Sequence, residues 1–210
     1  EISENIVYPL KRTSPIPSVE NAEELKERFD SIFDEDLIRI ITSSDIDQWS
    51  EMGWRGIMLD DGILWMDYDG KITAVNYQSK YEKKLAKKLT SKVKGDLSSD
   101  LRHNFKGEVY KFKTKNYFIR IDELKNGMYR YACWKKENPE STKPDLVLEN
   151  GKIEFSGSGG NHVITFKNNI YEYKVFHNKI AASGIADITL VVEKNGKEIF
   201  VFTNWKYRSY

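Results

Sequence analysis

The chain has 210 residues, 40% hydrophobic and 13% aromatic, so it is not disordered and can bury one large core or two modest ones. Its 33 basic and 32 acidic residues leave a net charge of +1, which removes any overall electrostatic basis for nucleic-acid binding. Its apolar runs are shorter than the roughly 20 residues of a membrane span, and its single cysteine, Cys133, excludes an intramolecular disulfide.

The first part of the chain, over residues 21–50, has residue spacing typical of helices. Asn21 is placed as an N-cap with Glu24 as its capping-box partner, and apolar residues follow at helical spacing, so we predict a helix from Ala22. Asp34 is placed to continue or restart the helix as far as Ser43, and a short helical turn is predicted over residues 45–50.

After Gly53 the pattern becomes that of strands separated by turns. The turns are the Asp60-Asp61-Gly62 and Asp69-Gly70 sequences. They predict a three-stranded antiparallel meander with strands Trp54–Leu59, Ile63–Asp67 and Lys71–Gln78.

The segment Tyr81–Val93 has leucine and valine at fourfold spacing among lysines, which predicts an amphipathic helix. We interpret its basic face as solvated, or as docking on the acidic first half. Attraction to phosphates or to an anionic membrane surface is the alternative. The lysines in and around this helix are Lys80, Lys83, Lys84, Lys87, Lys88, Lys92 and Lys94.

Charge is distributed unevenly along the chain. Residues 1–79 hold 7 basic and 17 acidic side chains, whereas residues 101–210 hold 19 and 12. This contrast, and the Gly/Ser/Asp composition of residues 95–99, predict two domains joined by a linker. We expect an α+β domain over residues 1–94 and an antiparallel β domain over residues 100–210.

Beyond residue 99 the pattern is almost wholly that of β-strands. Asn-Gly pairs at 126–127, 150–151 and 195–196 suit tight hairpin turns. With short connections between successive strands, an antiparallel barrel or sandwich is the most economical fold. About nine strands are predicted, over Glu108–Lys113, Tyr117–Asp122, Met128–Lys135, Asp145–Glu149, Lys152–Ser156, His162–Lys167, Ile170–Phe176, Asp187–Glu193 and Glu198–Asn204.

Two motifs of the first half carry a resemblance to a known group of proteins. Tyr8-Pro9-Leu10 and the run from Gly53-Trp54-Arg55-Gly56-Ile57-Met58 to Gly62-Ile63-Leu64-Trp65 resemble a family of uncharacterised exported bacterial two-domain proteins. That family has a "WxGxM, turn, GxxW" hairpin and often a β-rich tail, which the second half resembles. The resemblance implies a periplasmic or surface location and no assigned activity. The helices followed by a meander are also similar to a cystatin-like or NTF2-like α+β layer.

The chain begins at Glu1 rather than at methionine. We therefore expect a trimmed or processed form of an exported protein, periplasmic or extracellular, with its signal peptide removed or absent. Whether a lipid anchor precedes Glu1 is left open, as is the oligomeric state.

Catalytic and cofactor motifs are weak in this sequence. The glycine-rich loop at residues 157–161 is superficially similar to a phosphate cradle, but it precedes a strand and lacks the Lys-Ser/Thr pair. Turn chemistry explains the aspartates 60, 61, 67 and 69 better than a cation site or acid–base catalysis does. We predict no cofactor.

The histidines and the cysteine give no metal-binding pattern. His103, His162 and His177 do not pair at metal-ligand spacing, so surface or hydrogen-bonding roles are expected and no metal site is predicted. Cys133, between Ala132 and Trp134 in a strand, is interpreted as a small buried hydrophobic residue.

Aromatic residues are the remaining anomaly, with 5 Trp, 12 Tyr and 10 Phe, many of them beside charges in strands. Trp, Tyr and Arg are enriched in binding hot spots, and aromatic rings also suit sugars. We therefore predict a non-catalytic envelope protein that binds a protein or a glycan. The predicted binding residues are Trp54, Arg55, Trp65, Tyr68, Tyr129, Arg130, Tyr131 and Trp134.

Two alternatives stay open. One is a hydrolase of envelope polysaccharide that uses two carboxylates, with Asp67 as one of them. The other is an inhibitor of a lysozyme-like enzyme, which would share the physics of binding.

Overall fold

The computed structural model describes residues 2–157, 160–178 and 185–204. The fold is α+β, with a few helices, two antiparallel sheets and a β-rich second half. Two compact units are present, the first ending at Ser91 and the second beginning at Lys92.

Two helices of the first unit begin where the sequence predicts. Helix α1 spans Ala22–Ile32, and the Asn21 side chain accepts a hydrogen bond of 2.9 Å from the backbone N–H of Glu24. Helix α2 spans Glu35–Thr42, and the Asp34 side chain accepts one of 3.0 Å from Leu37. Both caps satisfy backbone donors that the first helical turn would leave unpaired.

The first sheet has four strands where the sequence predicts three, and its order follows the chain. The extra strand lies where a helical turn was expected, because the 3-10 turn of that region ends at Gln48. The second strand starts later than predicted, because Gly53–Arg55 form another 3-10 turn. The strands are β1 (Trp49–Glu51), β2 (Ile57–Leu59), β3 (Leu64–Met66) and β4 (Ile72–Val75).

The first unit has an apolar core made by residues from α1, α2 and this sheet. A buried ion pair adds to it: Arg12 Nε donates to Glu82 Oε1 at 2.8 Å, and the guanidinium also donates to the second carboxylate oxygen and to the carbonyl of Tyr77. Both side chains are almost fully buried. Such a pair is tolerated only with satisfied hydrogen bonds, so it fixes the start of helix α3 (Lys80–Asp96) against the segment before α1.

The predicted linker at residues 95–99 is wrong. Helix α3 extends to Asp96, and a short helix α4 (Ser99–Arg102) follows almost at once. Leu97 and Leu101 are fully buried in a cluster of the second unit. The prediction relied on the Gly, Ser and Asp residues and overlooked these two leucines. Their burial holds the segment in place.

The second unit contains a curled sheet of eight antiparallel strands, a half-barrel in which each strand pairs with its neighbours along the chain. The strands predicted over Asp145–Glu149 and Lys152–Ser156 form one continuous strand in the structure, because Asn150-Gly151 forms a bulge rather than a hairpin. A Cβ at Gly151 would lie 2.2 Å from the Phe166 ring, so the bulge makes room for that ring. The strands are β5 (Phe105–Lys113), β6 (Tyr117–Leu124), β7 (Tyr129–Lys135), β8 (Leu146–Ser156), β9 (Asn161–Asn168), β10 (Tyr171–His177), β11 (Ile188–Lys194) and β12 (Lys197–Asn204).

This sheet buries side chains on both faces. Its core face carries the larger apolar cluster, in which Ile119 and Ile121 of β6 take part. The opposite face, here the α4 face, carries Phe118 and packs against Leu97 and Leu101. The side chains of β6 therefore alternate between the two faces of the sheet, and both faces are covered.

The two edge strands of the sheet meet through their side chains. The ring of Phe112 on β5 stacks on that of Phe202 on β12, with ring centres 5.9 Å apart and planes 7° from parallel. This contact extends the apolar cluster of the core face from the first strand of the sheet to the last.

Candidate functional site

Trp54 is mounted on the 3-10 turn between β1 and β2 and is 85% exposed. The turn is closed by backbone hydrogen bonds from Met52 to Gly56 at 2.8 Å and from Gly56 to Gly53 at 3.0 Å. Tryptophan is one of the residue types enriched in binding hot spots, and this ring is accessible to a partner. Trp54 is therefore the strongest candidate for a recognition residue in the first unit.

The backbone of this turn is tightly fixed. Gly56 has φ +91°, and a Cβ there would lie 2.1 Å from the carbonyl oxygen of Met66 on β3. Only glycine permits both this conformation and this approach. Trp54 thus stands on a turn whose shape is set by the neighbouring strand.

Three further predicted residues lie on or next to the turn that carries Trp54. The Arg55 guanidinium carbon lies 5.5 Å from the centre of the Trp65 ring, a cation–π contact. The Tyr68 hydroxyl donates a hydrogen bond of 3.0 Å to the carbonyl of Gly53, and Tyr68 is 59% exposed. These four residues, Trp54, Arg55, Trp65 and Tyr68, are called the Trp54 surface.

The other four predicted binding residues belong to the second unit, and they do not form an exposed surface. Arg130, Tyr131 and Trp134 are buried, and Tyr129 is half-buried against the apolar cluster of the core face. The Trp134 indole donates to the carbonyl of Thr142 at 3.0 Å. The prediction of a recognition role is corrected for Arg130, Tyr131 and Trp134, because they have almost no surface to offer a partner.

A buried cluster of charges on the α4 face was missed by the sequence analysis. Asp122 accepts a hydrogen bond of 2.5 Å from Arg120 and one of 3.1 Å from Arg130, and all three side chains are essentially inaccessible. Burial raises the pKa of Asp122, while the two guanidinium groups oppose that shift. Because side chains alternate along β6, Arg120 and Asp122 lie on the same face of the sheet. Only the structure shows that α4 covers this face and that both side chains are buried.

The Asp67 carboxylate is hydrogen-bonded within its own turn. Its Oδ1 accepts hydrogen bonds from the backbone N–H groups of Asp69 at 3.1 Å and Lys71 at 2.8 Å. Asp60 has φ +47° and accepts a hydrogen bond from Gln48 at 3.0 Å. Turn chemistry, as the sequence predicts, accounts for both side chains.

His103 and His162 have side-chain hydrogen-bond partners, in line with the expected hydrogen-bonding roles. His103 lies 2.8 Å from Glu149, and His162 lies 2.5 Å from the Tyr110 hydroxyl. The histidines lack metal-ligand spacing in the sequence, but His162 and His177 are direct partners in the β9–β10 register. Among the described residues, no group of three or more His, Cys, Asp and Glu side chains is arranged to hold a metal ion.

Cys133 is buried, as predicted, in the apolar cluster of the core face. Burial raises the pKa of its thiol, so the reactive thiolate is disfavoured at neutral pH.

The lysine-rich side of α3 is largely exposed, as expected for a solvated face, and Lys80 approaches Asp36 at 3.5 Å. No helix within the described ranges is long and apolar enough to cross a membrane.

A groove of about 380 Å³ lies between the 3-10 helix Ile2–Asn5 and α1. Its walls include Ile2, Leu25 and Phe29, and Lys26 and Asp30 are its charged residues. Ser3 also lines it, but the groove offers mostly apolar surface, so the Trp54 surface is the better candidate.

No family model matches this chain, and no curated protein or solved structure matches it.

Proposed function

We propose that this chain is a non-catalytic recognition protein that binds a partner protein through the Trp54 surface. The observation that carries the proposal is the 85% exposure of Trp54 on a turn held by Gly56 and by the Tyr68 hydrogen bond. A fixed, exposed tryptophan is suited to insertion into a partner's pocket.

The energetics support this use of Trp54. Burial of a tryptophan side chain removes about 150–250 Å² from water, which corresponds to about 4–6 kcal/mol before the costs of association. Because the turn is already ordered, little conformational entropy is lost on binding. Arg55 and Tyr68 add the two other residue types that are enriched in binding hot spots.

A protein partner is favoured over a glycan by the shape of this surface. Trp54 protrudes from a turn, whereas a sugar-binding ring usually lines a cleft with polar groups that fix the hydroxyls. The binding test described below distinguishes a protein partner from a glycan.

The proposal includes a location at the bacterial cell envelope, periplasmic or extracellular. Its support is the resemblance of the Gly53–Trp65 hairpin to exported bacterial two-domain proteins. For the first unit we propose a cystatin-like or NTF2-like layer, supported by the core that α1 and α2 share with the four-stranded meander. The residues encoded upstream of Glu1 test the location: a signal peptide or lipobox supports it, and a cytoplasmic start without either contradicts it.

The binding test is an envelope-extract pull-down followed by rebinding of each purified candidate, with a glycan array run in parallel. Lysozyme-like enzymes form the first defined set of partners. We expect Trp54→Ala to weaken binding of one purified protein at least tenfold. Tyr81→Ala, which removes an exposed ring on α3, is the matched control and should change nothing. Equal binding by Trp54→Ala contradicts the proposal, and Trp54-dependent binding to a glycan alone replaces the protein partner by a sugar.

A further inference from the structure

Three polar rings meet at one end of the core face of the second unit. His162 of β9 and His177 of β10 are register partners with ring centres 5.2 Å apart. Tyr110 of β5 brings its ring centre to 6.0 Å from that of His162 and 5.2 Å from that of His177. All three lie in one unit, on strands whose pairing fixes their positions.

The hydrogen bonds of His162 determine which ring nitrogen carries the proton. Its Nδ1 lies 2.8 Å from the carbonyl oxygen of Gly160, which can only accept, so Nδ1 is the donor. In the neutral ring, Nε2 must then accept from the Tyr110 hydroxyl at 2.5 Å. A histidine whose Nδ1–H is held by a backbone carbonyl presents Nε2 as a lone pair, which is how metal-binding histidines are oriented.

The spacing of the rings also suits coordination. Two imidazoles bound to one tetrahedral ion at about 2.0–2.1 Å have ring centres roughly 5 Å apart. A phenolate oxygen stands farther from its ring centre than an imidazole nitrogen does, so a distance of roughly 6 Å is expected for a tyrosine ligand. The His162–His177 separation of 5.2 Å and the Tyr110–His162 separation of 6.0 Å agree with these values. The Tyr110–His177 separation of 5.2 Å is shorter, so the Tyr110 ring must move away from His177 when an ion binds.

We propose that Tyr110, His162 and His177 form a binding site for a divalent first-row transition-metal ion. Two nitrogen ligands and one phenolate oxygen suit copper(II) and zinc(II), and copper(II) is expected to bind more tightly. When the ion binds, the phenol of Tyr110 releases its proton to solvent. Its oxygen and Nε2 of His162, now 2.5 Å apart, separate to about 3.3 Å so that the ion can lie between them. Three protein ligands leave one position of the ion open.

Phe155 forms the flank of this site. It is the register partner of His162 on β8, its ring centre lies 5.4 Å from that of His162, and it is 66% exposed. Phe155 therefore flanks the His162 imidazole, and both histidines are partly buried.

A purely structural role makes a different prediction. In that case the Tyr110–His162 hydrogen bond only satisfies two polar groups at the end of an apolar cluster, and added metal has no effect. The two roles are therefore separated by metal binding itself, and they do not depend on the proposal for the Trp54 surface.

The experiment uses untagged protein of the full sequence, stripped with a chelator and titrated with CuCl₂ and with ZnCl₂ in a calorimeter. We expect one ion per chain, a melting temperature that rises with added CuCl₂, and one proton released in the copper titration. His162→Ala and His177→Ala should each weaken binding at least tenfold. Tyr110→Phe should weaken it less and abolish the proton release. His103→Ala removes the surface histidine paired with Glu149 and is the matched control.

Absence of one-to-one binding by the wild-type chain overturns the proposal, and so does unchanged binding by the His162→Ala, His177→Ala double variant. If the alanine variants unfold, NMR on the wild-type chain decides. Copper(II) at low occupancy should broaden the imidazole signals of His162 and His177 before that of His103. Uniform broadening of all three signals rejects the site.

Discussion

The hydroxyl of Tyr68 donates to the carbonyl oxygen of Gly53, so the turn after β3 holds the backbone next to Trp54. This hydrogen bond holds the turn that carries Trp54, and it lies outside the apolar core of the first unit. A change at Trp54 should therefore affect stability far less than a change at the buried Trp134.

We expect Trp54→Ala to change the free energy of unfolding by less than about 0.5 kcal/mol, because its side chain leaves few contacts behind. Trp134→Ala should cost about 3–5 kcal/mol, because it empties a fully buried position on the α4 face. Urea unfolding of both variants is the measurement. A large loss for Trp54→Ala would mean that this ring is packed in solution.

Gly56→Ala should destabilise the first unit by about 3 kcal/mol or more, because it combines a positive φ with a contact on the Met66 carbonyl. Gly70→Ala is the control. Gly70 has a similar φ of +82°, but a Cβ added there would meet no atom within 4 Å, so about 1 kcal/mol is expected. Equal losses in thermal or urea unfolding would contradict the proposed close approach.

Asp122→Asn should cost about 3–5 kcal/mol, because it removes the buried carboxylate that both guanidinium groups share. Arg120 would keep Glu108 and Glu140 as partners, and Arg130 would keep the more distant Glu149. The adjacent Glu123→Gln breaks an exposed pair with Lys106 and should show no measurable loss. Chemical denaturation of the two variants tests this contrast. A mild effect of Asp122→Asn would show that water reaches the cluster.

Tyr77 should make the free energy of unfolding depend on pH in the alkaline range. Its burial, followed by the hydrogen bond of 3.1 Å to Asp34, raises its pKa to about 12. The folded state therefore holds the phenolic proton more tightly than the unfolded chain, whose tyrosines titrate near pH 10. This contribution is fully present below pH 10 and is lost as the pH rises towards 12.

The measurement is urea unfolding between about pH 9 and about pH 11, compared with Tyr77→Phe. The variant should lose less stability than the wild-type chain over this range. Parallel losses in the two proteins would assign the effect to other groups.

Cys133 should resist alkylation until the second unit unfolds, because burial both shields the thiol and raises its pKa. Labelling with iodoacetamide across a urea series measures this. Rapid labelling in buffer without urea would show that the strand opens locally.

Local signals in the sequence were sufficient for much of the fold. Asn21 and Asp34 mark helix starts because their side chains satisfy nearby backbone donors, which requires no knowledge of distant residues. Asn195-Gly196 likewise marks a hairpin through positive φ at both positions. Asn150-Gly151 has the same composition but forms a bulge, because its conformation is set by a distant ring, that of Phe166.

The candidate site was predicted only in part, because burial depends on what covers a strand. Trp54 and Trp134 both stand beside strand residues of mixed polarity, yet one protrudes and the other is enclosed by the α4 face. The His162–His177 pairing was missed because it follows from hairpin register rather than from sequence spacing. Matching the two predicted strands across their turn would have brought these histidines together.

The stacking of Phe112 on Phe202 joins the first and last strands of a sheet whose other pairings are all between sequence neighbours. During synthesis, successive hairpins can form as they leave the ribosome, whereas this contact must wait until all eight strands of the sheet have been made. Until β12 emerges, the apolar side of the nascent sheet lacks its final strand and is open to chaperones or to self-association.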